Sequence, residues 1–501
     1  MKISVQKAKV TEFSCAVLIL GLFEDQDLDE YASLVDEKLD KGISYSIHAK
    51  EFVPEFGKSW MVHTFGKVGA KNVLLVGLGK RSEFDMEKLR RAAGFSSKIA
   101  REVGSVVATA MALVDVPGIM ISERASAVAQ GVLLGLYRFD QYKTVGKDKQ
   151  KHVSSLTILA DSVVNAQKAQ ESLQHELVVC DMTNFARDLV NQPPSMMTPI
   201  QMAVMAKKIV GDKKIKLKVF DRDEIVKMGF GGLFAVSKGS TQEPRFIVLE
   251  YRNPKAKKTV ALVGKGVTFD SGGLDIKPAS GMEDMKVDMA GAAAVMAVSG
   301  AVAALRIPIN LIVLMPCTEN MPGGSAYKPG DIIKTYSKKT IEILNTDAEG
   351  RVVLSDALAY AEKQYKPDAI IDLATLTGAC IVALGTICAG LVSSDDHLAD
   401  RIKVAAMHSG ERVWQLPLYD EFKDAVKSQV ADVKNIGLPK GEAGACTAAA
   451  FLSSFVEKTP WAHLDIAGPA YITDERDYIP KGGTGFGVRL LIALLEDWAR
   501  E

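Results

Sequence analysis

Short β-branched apolar runs alternate along this chain with longer stretches whose apolar residues recur at helical spacing. Ala16–Phe23, Asn72–Leu78 and Ser154–Ala160 read as strands, and Met86–Val103 and Glu123–Tyr142 as helices. That alternation predicts a small α/β domain ending near residue 165. Beyond it, Leu173, Leu177, Val178, Met182, Phe185, Leu189 and Val190 keep a helical period until Asn191-Gln192-Pro193-Pro194 stops it. Thr198-Pro199 then opens a new helix, with Thr198 as its cap and Pro199 at its first position. Further strands are expected near 216–220, 245–251, 259–264, 309–315, 369–374 and 463–467. The expected architecture is α/β in two domains. Residues 1–165 form an N-terminal domain suited to assembly or regulation, 166–192 a connecting helix, and 193–501 a larger domain with a central mixed sheet flanked by helices. A chain of 501 residues is too long for one core, which agrees with that division.

Charge changes the picture where it interrupts the apolar framework. Asn345-Thr346-Asp347-Ala348-Glu349-Gly350-Arg351 packs two carboxylates and a guanidinium directly before a helical apolar pattern, Val352, Val353, Leu354, Ala357 and Leu358. Charges at that density are costly to bury unless something compensates them. Upstream, Thr259–Val263 reads as a buried strand ending at Gly264. Lys265 and Asp270 then flank what reads as a tight, glycine-rich turn, at the strand end where α/β sheets bind ligands. Asp288 stands among small and apolar residues at the start of a helix reaching Leu305, where the positive helix end favours its ionised form. Singly, each has a plain reading: Asp347 and Glu349 as helix caps, Lys265 and Lys277 as solvated charges, Asp288 as a helix start, Arg351 as a salt-bridge partner. Together they form a constellation of four carboxylates, two lysines and an arginine. None of these segments contains histidine, which excludes a His-Glu-x-x-His zinc site. Four carboxylates fit two divalent ions about 3.5 Å apart better than one. Acids alone suit Mg²⁺ or Mn²⁺; a neutral lysine amine among them shifts the preference toward Zn²⁺, Co²⁺ or Mn²⁺, and requires a strongly depressed pKa.

The strings GKGVTFDSGG, MKVDMAGAA and NTDAEGR, in this order and spacing, resemble the leucine aminopeptidase (cytosol aminopeptidase) family of dinuclear metallopeptidases, in its bacterial form. The resemblance runs from about Asn191 to Glu501 and takes in Asn320–Gly324, Asp372–Gly378 and His463–Gly468. It implies a metal-dependent exopeptidase that releases amino-terminal residues, leucine preferred, by attack of a water or hydroxide bridging two ions, Mn²⁺ or Zn²⁺. Lys265, Asp270, Asp288 and Glu349 would hold the tighter ion. Asp270, Asp347 and Glu349 would hold the more exchangeable one. Lys277 would face the scissile carbonyl, and Arg351 would hold a bicarbonate acting as general base. Met285, Thr375 and Gly378 match positions of the family's apolar substrate pocket. The resemblance further implies peptide substrates with a free amino terminus, a homohexamer with its sites facing an interior cavity, and a part in intracellular peptide turnover.

Composition narrows the alternatives. The chain carries 61 Lys and Arg against 61 Asp and Glu, which is not the footprint of a nucleic-acid binder. DNA binding, known in some bacterial members, therefore has no support from charge, although Lys80-Arg81, Arg90-Arg91 and the Lys143/Lys147/Lys149 segment offer basic patches. A dinuclear phosphoesterase is the other enzymatic reading. The amino terminus lacks a signal-peptide pattern, the apolar stretches such as Cys15–Phe23 fall short of a membrane span, and six cysteines form no Cys-x-x-Cys pair. These features fit a cytoplasmic protein with reduced thiols. Cys380 and Cys388 read as core residues, and His463, flanked by Trp461 and Leu464, as a packed, hydrogen-bonded histidine.

Overall fold

In the computed structural model, which describes residues 1–146, 150–211 and 214–500, the chain divides into two compact units. Lys147 and Lys149 of the basic segment lie outside the described residues. The first unit comprises Met1–Cys180 with Asp474–Lys481, and the second Asp181–Thr473 with Gly482–Glu501. Helix Val163–Asn191 contributes to both.

The first unit is built on a six-stranded sheet in the order Lys2–Lys7, Ser155–Ala160, Val106–Thr109, Cys15–Leu22, Ala70–Gly77, Ser59–His63. All neighbours are parallel except the last pair. Helices Met86–Val103 and Ile121–Gly135 pack against each other beside it. The expected strands are present. Lys2–Lys7 and Ser59–His63 escape the apolar pattern because they are the sheet's edge strands, where side chains are largely solvated. The helix expected over Glu123–Tyr142 ends earlier, at Gly135. Beyond that glycine, Phe139 and Tyr142 pack their rings on each other with centroids 6.0 Å apart in a turn.

The second unit holds a nine-stranded mixed sheet. Its order is Val413–Gln415, Ala389–Ser393, Trp461–Asp465, Ala369–Ala374, Thr259–Gly264, Asn310–Asn320, Arg245–Tyr251, Ile215–Phe220, with Gly266–Asp270 pairing the far half of Asn310–Asn320. The four strands from Trp461–Asp465 to Asn310–Asn320 run parallel, so their carboxyl ends share one edge. Helices cover both faces, which is why these strands read as unbroken apolar runs. Ala261, Val263, Ile312 and Leu314 join the core formed with Val352, Val353 and Leu354 of helix Glu349–Tyr365. Helix Ala290–Leu305 also packs on these strands, and its small residues let it approach closely. A Cβ on Gly291 would lie 2.1 Å from the Leu373 carbonyl oxygen, so the helix could not sit there with alanine.

Two sequence expectations change. The segment after Gly264 is a strand, Gly266–Asp270, with a register irregularity between Val267 and Phe269, not a tight turn; the long Asn310–Asn320 strand supplies its partner. Within Ala279–Leu305, a stretch apolar enough by composition to cross a membrane, helix Ala290–Leu305 is buried as core over almost its whole length. Cys388 is only half-buried, unlike Cys380. The cap at Thr198 stands, its hydroxyl accepting from the Gln201 N–H at 3.3 Å.

Asp356 ties helix Glu349–Tyr365 to the first turn of helix Gly231–Ser237 and to the turn at Tyr336. Its carboxylate accepts from the Leu233 N–H at 2.9 Å and the Tyr336 N–H at 2.7 Å, with no solvent exposure. Asp356→Ala leaves those buried donors unpaired, and we expect it to lower unfolding free energy by about 1–3 kcal/mol in denaturant titration. Asp356→Asn keeps an acceptor and should lose less.

Candidate metal centre

Each residue of the constellation arrives at the carboxyl edge of the parallel strands by its own route. Lys265 follows the central strand directly, Asp270 ends the short strand beside it, and Asp288 sits in a single 3₁₀ turn, Met285–Met289, that feeds helix Ala290–Leu305. Glu349 and Arg351 lie in the first turn of helix Glu349–Tyr365, with Asp347 two residues ahead of it. Lys265, Asp270, Asp288 and Glu349 are each at most 4% exposed.

The structure gathers them into one cluster. The Lys265 ammonium lies 2.7 Å from Asp288 Oδ1 and 2.9 Å from Glu349 Oε1, and also donates to the Thr375 carbonyl at 2.9 Å. Lys277 reaches Asp270 Oδ2 at 2.9 Å and Asp347 Oδ1 at 2.5 Å. Asp270, Asp347 and Glu349 each offer a carboxylate oxygen within 4.8 Å of the others. Burial drives the charges apart from their ordinary values. It lifts the Asp288 carboxyl to about 6, against the Lys265 ammonium, and the Glu349 carboxyl to about 8, with Asp270 adding repulsion. Burial also lowers the Arg351 guanidinium to about 10 against the pull of Glu349 and Asp465. Lys265 goes the other way: desolvation disfavours its charge, but Asp288, Glu349 and Asp270 outweigh it and hold it above the usual lysine range.

Two glycines make this geometry possible. Gly272, at φ +89°, turns the chain where a Cβ would lie 2.9 Å from Asp347 Oδ1. Gly350, inside the helix, leaves the space that Lys265 fills, since a Cβ there would meet Lys265 Cε at 2.5 Å.

Several residues missed in the sequence hold the cluster in place. Asn320 donates to Asp270 Oδ1 at 2.8 Å and to the Thr346 carbonyl at 3.0 Å, and the buried Tyr327 hydroxyl donates to that same carbonyl at 2.7 Å. Asp275 accepts from the Thr346 N–H at 2.7 Å. Asn435 clamps the Asp347 loop: its side-chain oxygen accepts from the Leu344 N–H at 2.8 Å, its amide donates to the Asn345 carbonyl at 2.6 Å, and its own carbonyl accepts from Arg351 Nη1 at 2.9 Å. The motif strings displayed Asn320, but an isolated asparagine at 435 carries no sequence signal. Of the three pocket candidates, Thr375 is buried and its hydroxyl donates to Asp288 Oδ1 at 2.7 Å. It supports the carboxylate cluster. Met285 is half-buried in the 3₁₀ turn, and Gly378 is exposed at the start of helix Gly378–Leu384 with open space around it. His463 is packed as expected, its Nδ1 2.6 Å from Asp372 Oδ1 and its ring stacked on Trp461.

A cluster of buried carboxylates at the carboxyl edge of a parallel sheet, held by lysines rather than histidines, defines an α/β metallohydrolase. The chain belongs to the cytosol aminopeptidase family: the model of that family's catalytic domain matches residues 184–492, and that of its N-terminal domain residues 19–146. It is 45% identical over 504 residues to the probable cytosol aminopeptidase of Geobacter sulfurreducens, with both chains covered in full. It is 50% identical over 386 residues to that of Chlorobaculum tepidum, covering 75% of this chain and 76% of the relative. Among solved structures it is similar to a mutant of tomato leucine aminopeptidase, with TM-score 0.89, 32% identity and 99% and 96% of the two chains covered. The bottromycin maturation enzyme BotP in complex with Mn matches with TM-score 0.86 and 34% identity over 97% of this chain and 100% of that one. The chain is thus a metal-dependent exopeptidase by family.

Gly350→Ala tests the packing at Lys265. Alanine favours the helix, so the fold should persist, while the displaced ammonium should lower aminopeptidase turnover by about tenfold to a hundredfold. Circular dichroism and steady-state rates measured side by side check both halves.

Proposed function

We propose that this chain is a dinuclear leucyl aminopeptidase that removes amino-terminal residues, leucine preferred, from peptides. One observation carries the reading. Asp288 Oδ2 and Glu349 Oε2 are buried with no hydrogen-bond partner among the described residues, and Glu349 Oε1 meets the Lys265 ammonium at 2.9 Å, beside the oxygens of Asp270 and Asp347. Orphaned carboxylate oxygens in a dry site are expensive unless cations take them up, so the donor set fits two divalent ions.

In this reading the ions would displace the proton that the metal-free carboxylates hold on Lys265, so that its neutral amine, Asp270, Asp288 and Glu349 would hold one ion, and Asp270, Asp347 and Glu349 the other, Mn²⁺ or Zn²⁺. When bound, such a pair supplies Lewis acidity and an activated water at neutral pH. The chain's own residues do the rest. Lys277, one-fifth exposed beside Asp270 and Asp347, can turn its ammonium toward the oxygen of a scissile carbonyl and stabilise charge building there. Arg351 keeps its Nε free of any hydrogen bond among the described residues, which suits it to hold a bicarbonate that accepts a proton. Met285, Thr375 and Gly378 form the side-chain pocket. The family also implies a hexamer in the cytosol, and the pattern of strands and helices along the chain divides it into domains at 1–165, 166–192 and 193–501.

Hydrolysis of leucine amide, but not of amino-blocked leucine amide, should be lost on chelation and restored by Mn²⁺ or Zn²⁺. No cleavage under any metal condition sinks the proposal, and phosphate ester hydrolysis in its place favours the phosphoesterase reading. Glu349→Ala should abolish turnover and reduce bound metal measured by elemental analysis; near-full activity would show that Glu349 serves neither ion. Lys277→Ala should lower turnover by about 10²–10³ while metal content stays at the parent level.

A further inference from the structure

The helix that presents Glu349 and Arg351 at one end borders a second concavity at the other. Helix Glu349–Tyr365 ends beside a cavity of about 560 Å³, within the range that holds a small organic ligand. Its walls are mixed. Ala359, Pro367 and Phe455 are buried apolar residues, and the Tyr336 ring adds an aromatic side. Its charge is one-sided, because four lysines face two glutamates.

Both glutamates are already engaged. Glu362 accepts from the Glu457 N–H at 2.8 Å, the Lys458 N–H at 2.8 Å and the Thr459 N–H at 2.9 Å, which holds its carboxyl below the usual range despite burial. Glu457 faces Lys339 at 3.8 Å, and the Lys339 ammonium donates to the Ser454 carbonyl at 2.7 Å. The remaining lysines, Lys363, Lys366 and Lys458, have no carboxylate partner among the described residues. Lys363 lies over the Tyr336 ring, 5.6 Å from its centroid. In a chain whose formal charges cancel overall, four lysines against two glutamates leave a net excess of two positive charges around one apolar-walled cavity.

We propose that this cavity is a binding site for an organic phosphate, distinct from the carboxylate cluster. The lysines take the phosphate as point charges, and Phe455, Pro367 and the Tyr336 ring take the organic body. The net positive charge favours an anionic ligand over a neutral or cationic one. Charge alone would also take inorganic phosphate, but the apolar walls favour a ligand with a carbon framework to bury.

Equilibrium dialysis of the full-length, metal-loaded protein against adenosine 5′-monophosphate, adenosine and inorganic phosphate tests this. Saturable binding of the monophosphate, with adenosine and phosphate each at least about tenfold weaker, is the expected result. The Lys363→Glu/Lys366→Glu variant should weaken that binding by at least about tenfold and keep the parent rate on leucine amide, since neither lysine touches the carboxylate cluster. A Lys71→Glu control in the first unit should bind as the parent does. No saturation by the monophosphate overturns the proposal. So does equal binding by the double variant, or inorganic phosphate binding as tightly as the monophosphate.

Discussion

The structure depends on keeping three carboxylates almost out of water beside a fourth, Asp347, whose side chain is 34% exposed. Asp270, Asp288 and Glu349 are nearly inaccessible, and Asp347 lies beside them. Buried like charges repel strongly and lose their hydration, so the fold around them is organised to supply positive charge and donors. The parallel strands bring Lys265 and Asp270 to one edge, a helix start delivers Glu349, and a 3₁₀ turn delivers Asp288. The outer layer of partners, Asn320, Tyr327, Asp275, Thr375 and Asn435, bonds to the backbone and carboxylates so that the acids cannot swing apart. Removing one member of such a network strands the others.

That constraint explains why glycine and alanine dominate the surrounding elements. Gly264 and Gly291 let helix Ala290–Leu305 lie against the sheet beneath the cluster, and Gly350 clears the path of the Lys265 side chain. The helix that results is apolar enough to be confused with a membrane segment, yet its apolarity is that of a core element pressed between a sheet and other helices.

Much of this was legible in the sequence. The carboxylates, lysines and Arg351 lie in compact strings, each at a strand end or helix start, so short-range pattern and charge density located them. The central strands were legible because burial on both faces leaves an unbroken apolar run. Edge strands such as Lys2–Lys7 and Ser59–His63 were not, because solvent on their exposed sides removes that signal. Gly266–Asp270 read as a turn because its glycine and its brevity argue for one, and only pairing with Asn310–Asn320 makes it a strand. Thr375 read as a pocket residue, and only its three-dimensional contact with Asp288 shows what its hydroxyl does. Asn435 was beyond reach: nothing local marks it, and its partners lie 84 to 91 residues away.

That last separation has a consequence for how the molecule is made. On the ribosome, all four carboxylates, both lysines and Arg351 emerge well before Asn435 does. Until then the Asp347 loop lacks the residue that fastens its backbone and takes up Arg351 Nη1. The nascent chain therefore carries a complete set of charges without the restraint that holds them, and the centre can close only near the end of synthesis. A chain broken off before Asn435 would keep all three acidic strings and lack the residue that fastens the Asp347 loop.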